Sequence, residues 1–241
     1  MKKNLNISKN IEAMTVVILA GGLGSRISEF TKFIPKPMIK ISGKPIIAHI
    51  IDSYKSYGLK NFIIASGYKS KILEEYFKYK KNISIINTGL NTLTGSRIKK
   101  LKKYLTDTFF LTYGDGLSNV DIRASYISHL KSKKIITMTA VHPPARFGEL
   151  QVKKGKLISF HEKPQMSDGL INGGFFVVNS DFLKLIPNKN VMLERDPISK
   201  AIKLKKINLF THDGFWHCLD TLRDYKKLNL FAKKKKFPWS K

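Results

Sequence analysis

Val16-Val17-Ile18-Leu19-Ala20-Gly21-Gly22-Leu23-Gly24-Ser25-Arg26 runs from an apolar strand straight into a glycine-rich, cationic turn, and Pro35-Lys36-Pro37-Met38 follows. A strand that is apolar at every position is buried on both faces, as in the middle of a parallel sheet covered by helices. Where such a strand stops at glycines, backbone N–H groups are left bare, and these suit phosphate oxygens. Arg26 and Lys36 add positive charge from two directions. The turn is no Walker loop, because no Gly-Lys-Ser/Thr closes it. Nor is it a dinucleotide fingerprint, since Ile27 stands where the third glycine belongs.

Working outward, short apolar runs alternate with helical patterns. Strands are expected at Thr15–Ala20, Asn61–Ser66, Ile83–Asn87, Phe109–Thr112 and Ile135–Val141, with helices at Ile46–Tyr57, Ser70–Tyr79, Gly95–Leu105 and Asp121–Leu130. Asp121 is placed to cap the last of these. The alternation predicts an α/β, Rossmann-like fold with a mostly parallel mixed sheet flanked by helices. After Pro143-Pro144 the pattern changes. A hairpin is expected from Glu149–Val152 and Leu157–Phe160 around Lys154-Gly155, then a strand at Gly174–Asn179 and helices around Asp181–Leu185, Asp196–Leu204 and Thr221–Phe231. This half continues the sheet and adds a small β subdomain. Residues 1–13 read as a loose N-terminal extension and 14–241 as a single domain, with 14–141 the half that carries the glycine turn and 142–241 a second, substrate-side half.

The formal net charge is +27 over 241 residues. Such a charge invites nucleic acid as a partner. The lysines, however, are spread along the whole chain, and the arginines do not cluster. A general lysine-rich surface is therefore the simpler reading, and nucleic acid is not expected. The single cysteine, Cys218, permits no internal disulfide and fits a reducing, cytoplasmic setting. No apolar run is long enough to cross a membrane, and the basic N-terminus is not followed by the apolar stretch of a secretory signal.

Asp115, in Tyr113-Gly114-Asp115-Gly116, ends an apolar strand, where open α/β sheets collect their ligands. A carboxylate beside a phosphate-binding turn is a natural Mg²⁺ ligand. His161-Glu162-Lys163-Pro164 supplies an acid and a cation after a strand, and Asn172-Gly173-Gly174 supplies an amide and exposed backbone. Asp220 lies just ahead of a helix, where capping is its simpler role. The histidines form no convincing site, and Cys218 reads as a packed thiol. Together these features describe an enzyme handling a nucleoside triphosphate.

Leu19 to Arg26, Pro35-Lys36-Pro37-Met38 and Gly43-Lys44-Pro45-Ile46 resemble the signature of sugar-1-phosphate nucleotidylyltransferases. Thr88 to Gly95, Tyr113-Gly114-Asp115-Gly116, Pro143 to Gly148, Glu162-Lys163-Pro164, Ile171 to Phe176 and Asp213 to Asp224 are similar to the glucose-1-phosphate cytidylyltransferase branch, and Pro238-Trp239 has its counterpart there. The resemblance implies a nucleotide-diphospho-sugar transferase fold and the partners CTP and a sugar-1-phosphate, which give CDP-glucose and pyrophosphate. It further implies nucleotide contacts at Leu19, Ala20, Gly21, Gly22, Gly24, Ser25, Arg26, Lys36, Thr88, Thr94, Gly95 and Gly114, with Arg26, Lys36 and Asp115 catalytic. Asp115 and Asp220 would hold Mg²⁺, while Glu162, Lys163, Asn172 and Gly173 would hold the sugar phosphate. A homo-oligomer is implied as well. The chain departs from the branch at Lys80-Lys81-Asn82, where a longer polar insertion is usual, and at His217-Cys218, where Gln-Pro is usual. A different nucleotide or phosphorylated acceptor stays open, as does an inactive, nucleic-acid-binding scaffold.

Overall fold

The computed structural model describes residues 2–144, 148–161, 169–233 and 237–240. Its principal elements are α1 (Lys2–Ala13), β1 (Thr15–Ala20), α2 (Ile46–Lys55), β2 (Asn61–Ser66), α3 (Ser70–Phe77), β3 (Ile83–Asn87), α4 (Thr94–Lys99), β4 (Thr108–Tyr113), β5 (Gly116–Ser118), α5 (Ile122–Ser132), β6 (Ile136–Val141), β7 (Glu149–Lys153), β8 (Lys156–His161), β9 (Ile171–Asn179), α6 (Asp196–Lys203), β10 (Ile207–His212), β11 (Trp216–Cys218) and α7 (Leu222–Lys233).

Seven strands form one sheet in the order β10-β6-β9-β4-β1-β2-β3. β1 pairs in parallel with β2 and β4, β2 with β3, and β6 with β10. Among these seven, β9 alone runs against its neighbours, between β4 and β6. The carboxyl ends of β1 to β4 and the start of β9 therefore share one edge, with Leu19 beside Tyr113, Ala20 beside Ser66, and Ser66 beside Asn87.

The two-residue period of β1 divides the core. Val16, Ile18 and Ala20 join Ile46, Ile47, Ile50 and Tyr54 on one face, while Val17 and Leu19 join Ile98, Leu101, Phe176 and Phe182 on the other. Each fully buried Val, Ile or Phe contributes about 1.5–3 kcal/mol relative to exposure. The sheet edge is thus set on a floor packed from above and below. Asp121 caps α5 as its position suggests, accepting from the Ala124 N–H at 2.8 Å.

Two expectations change. Residues 2–13 are a helix, not a loose extension: Ile7 and Ile11, one turn apart, pack on the core, and Ile11 is fully buried. Glu12 adds an ion pair to Lys60 at 2.8 Å. The helix lengthens the unit toward the N-terminus. Ile207–His212, which carried no strand expectation, is the edge strand β10. The β7–β8 hairpin stands apart from the main sheet as a two-stranded ribbon, the small β subdomain anticipated from sequence.

Candidate active site

A cleft of about 620 Å³ opens at the shared sheet edge. Leu19, Ala20, Gly21, Gly22, Gly24, Ser25, Arg26, Lys36, Gly114, Asp115 and Thr94 all line it. Gly24 turns the chain with φ +66°, and the Thr31 hydroxyl holds the turn by donating to the Gly24 carbonyl at 3.1 Å. A side chain there would also run into Thr31, 2.8 Å from its Cβ. After a 3₁₀ turn at Ser25–Ile27 and a short α-helical turn at Ser28–Thr31 the chain returns to Pro35, and Lys36 enters the cleft from a second direction.

Lys36 is the hub of the charged groups. Its ammonium donates to Asp115 Oδ2 and Asp220 Oδ1, both at 2.6 Å, and Arg26 Nη1 pairs with Asp220 Oδ2 at 2.8 Å. Lys36 is only 9% exposed. Burial on its own would lower its pKa, but the two carboxylates outweigh burial and hold it above the ordinary lysine value. The converse holds for Asp220: burial opposes ionisation, and Lys36 and then Arg26 overcome it, so the pKa lies below the usual carboxylate range. Arg26, Asp220, Lys36 and Asp115 thus form a chain of ion pairs of alternating sign.

The backbone explains why the two carboxylates meet although 105 positions apart. β5 and β11 pair as a short antiparallel ribbon, and the Leu219 N–H donates to the Asp115 carbonyl at 2.9 Å. Asp115 enters that ribbon and Asp220 leaves it. Asp220 does not cap α7. Thr221 and Asp224 form the reciprocal cap, with the Thr221 N–H donating to Asp224 Oδ2 at 2.8 Å and the Asp224 N–H to Thr221 Oγ1 at 3.3 Å. The Asp220 carboxylate is left for Lys36 and Arg26. Two hard oxygen donors converging on one cationic centre match what Mg²⁺ takes from protein, its other positions going to water and phosphate. Among the described residues no group of three or more His, Cys, Asp or Glu is placed to hold a metal ion.

Thr88 and Gly95 are not among the residues that line the cleft. Thr88 is buried below the cleft, its hydroxyl donating to the Ser66 carbonyl at 2.8 Å and accepting from Arg97. Gly95 is also buried and packs against Val191, whose carbonyl accepts its N–H at 3.0 Å. The Thr94 hydroxyl donates to Glu194 at 2.8 Å. Asn172 lies at the start of β9 on the cleft edge, and the Gly173 carbonyl accepts from Trp216 Nε1 at 2.8 Å. Glu162 and Lys163 lie outside the described residues. Cys218 is a packed thiol as expected: burial, reinforced by Asp220 and Asp115, pushes its pKa far up, and its Sγ lies 3.6 Å from Asp220 Oδ2.

Two cleft residues were not foreseen from sequence. Arg97, 3% exposed, donates to the carbonyls of Ser66 at 2.6 Å, Thr92 at 2.7 Å and Gly21 at 3.4 Å, and to the Thr88 hydroxyl. It ties the ends of β1, β2 and β3 together and sets an arginine charge, held by these neutral oxygens, beneath the glycine turn. Burial lowers its pKa, though from a starting point far above neutrality. Glu194, which meets Thr94 and Tyr113, is the second. The signal for Arg97 was its place on the inner face of α4, beside buried Ile98 and Leu101.

The chain matches the nucleotidyl transferase family over residues 15–235. It is 40% identical to a glucose-1-phosphate cytidylyltransferase of Salmonella typhimurium over 253 aligned residues, covering 94% of this chain and 98% of that one. That alignment exceeds the chain's own 241 residues, so the relative carries insertions within it. A D-glycero-alpha-D-manno-heptose 1-phosphate guanylyltransferase of Aneurinibacillus thermoaerophilus is 30% identical over 222 residues, covering 89% and 96%. Among solved structures, HddC from Yersinia pseudotuberculosis complexed with GMP-PN superposes with a TM-score of 0.71 at 25% identity, covering 92% of this chain and 100% of that one. With a glycine turn, two cations and two carboxylates gathered at one sheet edge, the chain belongs to the nucleotidyl transferase family.

Proposed function

We propose that the protein transfers a cytidylyl group from CTP to a sugar-1-phosphate, with glucose-1-phosphate the preferred acceptor, giving CDP-glucose and pyrophosphate in a Mg²⁺-dependent reaction. The observation that carries this reading is the convergence of Arg26, Lys36, Asp115 and Asp220 at the mouth of the glycine turn. The 40% identity to a cytidylyltransferase supports the choice of base.

In the reaction the sugar-phosphate oxygen bonds to the α-phosphorus as the bond from that phosphorus to the β-phosphate oxygen breaks, and pyrophosphate leaves with the electron pair. The attacking oxygen is already ionised, so no general base is needed, and among the described residues that line the cleft there is no histidine. The difficulty is electrostatic: two polyanions must come into contact. At an effective dielectric near 20, one pair of unit charges 4 Å apart interacts by about 4 kcal/mol. Arg26, 67% exposed along its side chain, reaches outward for the terminal phosphates, and the buried Lys36 ammonium serves the inner, reacting phosphate. Asp115 and Asp220 would hold Mg²⁺, which supplies Lewis-acid neutralisation of phosphate oxygens when bound. The backbone of the glycine turn orients the nucleotide, and holding both substrates in line supplies up to about 7–11 kcal/mol of the barrier.

The guanylyltransferase relative makes GTP the competing nucleotide. Pyrophosphate release assayed with CTP, UTP, dTTP and GTP, each paired with glucose-1-phosphate and with mannose-1-phosphate, is expected to be fastest with CTP and glucose-1-phosphate. A GTP maximum overturns the assignment of the base, and no release with any pair overturns the proposed activity.

A further inference from the structure

Glu194 presents a second carboxylate, besides Asp115, to the cleft. Its Oε2 accepts from the Thr94 hydroxyl at 2.8 Å and its Oε1 from the Tyr113 hydroxyl, and both of these donors are neutral. The supporting shell is itself fixed. Thr94 Oγ1 accepts from the Leu193 N–H at 2.8 Å, and the Tyr113 oxygen accepts from Asn172 Nδ2 at 3.2 Å. Burial, and then the Glu194 charge, push the Tyr113 phenol far above its ordinary pKa, which keeps it a donor to this carboxylate.

A carboxylate is an acceptor only, with about four lone-pair directions. Thr94 and Tyr113 use two. The remaining lone pairs lie on a side chain that lines the same cleft as Gly21, Arg26 and Asp115. Turned toward phosphate they would repel substrate; turned toward neutral O–H groups they form charge-assisted hydrogen bonds. A phosphorylated sugar offers such groups in pairs. The network runs from Thr94 through Glu194 and Tyr113 to Asn172 at the start of β9. We infer that Glu194 is a specificity-determining residue that accepts hydrogen bonds from a vicinal hydroxyl pair of substrate, on the hexose of the sugar phosphate or on the ribose of the nucleotide.

This rests on the proposed function in one respect, that the cleft takes phosphorylated sugars. The test is therefore read both by turnover and by calorimetric binding, using E194Q, which keeps shape and loses charge. Either KM for glucose-1-phosphate or KM for the nucleotide is expected to rise about tenfold or more while kcat stays within about threefold. The substrate whose KM rises names the hydroxyl source. E194Q is further expected to lose the wild-type preference for that substrate over its deoxy analogues (2-deoxy- and 3-deoxyglucose-1-phosphate, or 2′-deoxy-CTP), since the missing hydroxyl no longer has a partner. Y113F is expected to shift the same KM by a smaller factor. If E194Q leaves both affinities within twofold and discriminates against deoxy analogues like the wild type, the inference is wrong. It is equally wrong if E194Q lowers kcat to the same extent for all substrates. Wild-type protein that binds glucose-1-phosphate or CTP in a Glu194-dependent way without turning them over defeats the proposed function and leaves this inference standing.

Discussion

A K36A variant is expected to lower kcat by about two to three orders of magnitude, the usual cost of deleting one preorganised charge at a reacting centre. Lys36 is better placed than a surface cation for this, because it is 9% exposed and held by two carboxylates at 2.6 Å. Its removal has a second consequence. Asp115 and Asp220 lose the ammonium they share, and two like charges then face one another. Their side chains keep 27% and 14% of their exposure, so the stability loss is expected near about 2 kcal/mol rather than the roughly 3–5 kcal/mol of a sealed ion pair. The same change improves the pair as a cation site, and Mg²⁺ is expected to raise the Tm of K36A by more than that of the wild type. K36R should recover little activity, because a planar guanidinium does not fit the place of a compact ammonium between two oxygens. A K36A enzyme within tenfold of wild-type kcat would remove Lys36 from the mechanism.

Gly21→Ala is expected to destabilise the protein by about 3 kcal/mol or more. A Cβ at position 21 would overlap the Arg97 guanidinium, striking its Cζ and Nη1, so the guanidinium must leave. That guanidinium is not a loose end. It is buried and holds the Ser66, Thr92 and Gly21 carbonyls and the Thr88 hydroxyl, and moving it leaves buried acceptors unpaired. Gly22→Ala is the internal control, since a Cβ there meets nothing within 4 Å and the cost should stay within about 0.5 kcal/mol. Equilibrium unfolding in urea compares the two. Equal stability of G21A and G22A would contradict the role of Arg97 as the tie beneath the turn.

The inner strands were readable because burial on both faces leaves an unbroken apolar run: β1 is buried at all six positions and β2 at five of six. The edge strand β10 has no such run. Its residues are half-buried or exposed in Ile207-Asn208-Leu209-Phe210-Thr211-His212, and only pairing with β6 makes it a strand. The three-residue strands β5 and β11 are too short to carry a periodicity at all, yet they bring Asp115 to Asp220. α1 was obscured by its lysines and asparagines, with the Ile7 and Ile11 pair its main apolar signal.

In the cleft, residues adjacent in sequence were the legible ones. Gly21 to Arg26 and Lys36 follow a strand directly, and their chemistry is local. The resemblance added Asp220, for which local spacing favoured a cap; the structure gives that cap to Thr221 and Asp224. Thr88 and Gly95 sit in the expected segment, but their side of it faces inward. Glu194 meets Tyr113 across 81 positions and Thr94 across 100, contacts that no window of sequence contains.

The most direct test of the central claim is a crystal structure of the protein with CTP and Mg²⁺. The triphosphate is expected in the cleft between the Gly21–Arg26 turn and Lys36, with Asp115 and Asp220 bound to the metal. A triphosphate seated away from that turn, with the Lys36 ammonium still clasped by both carboxylates, would contradict the account.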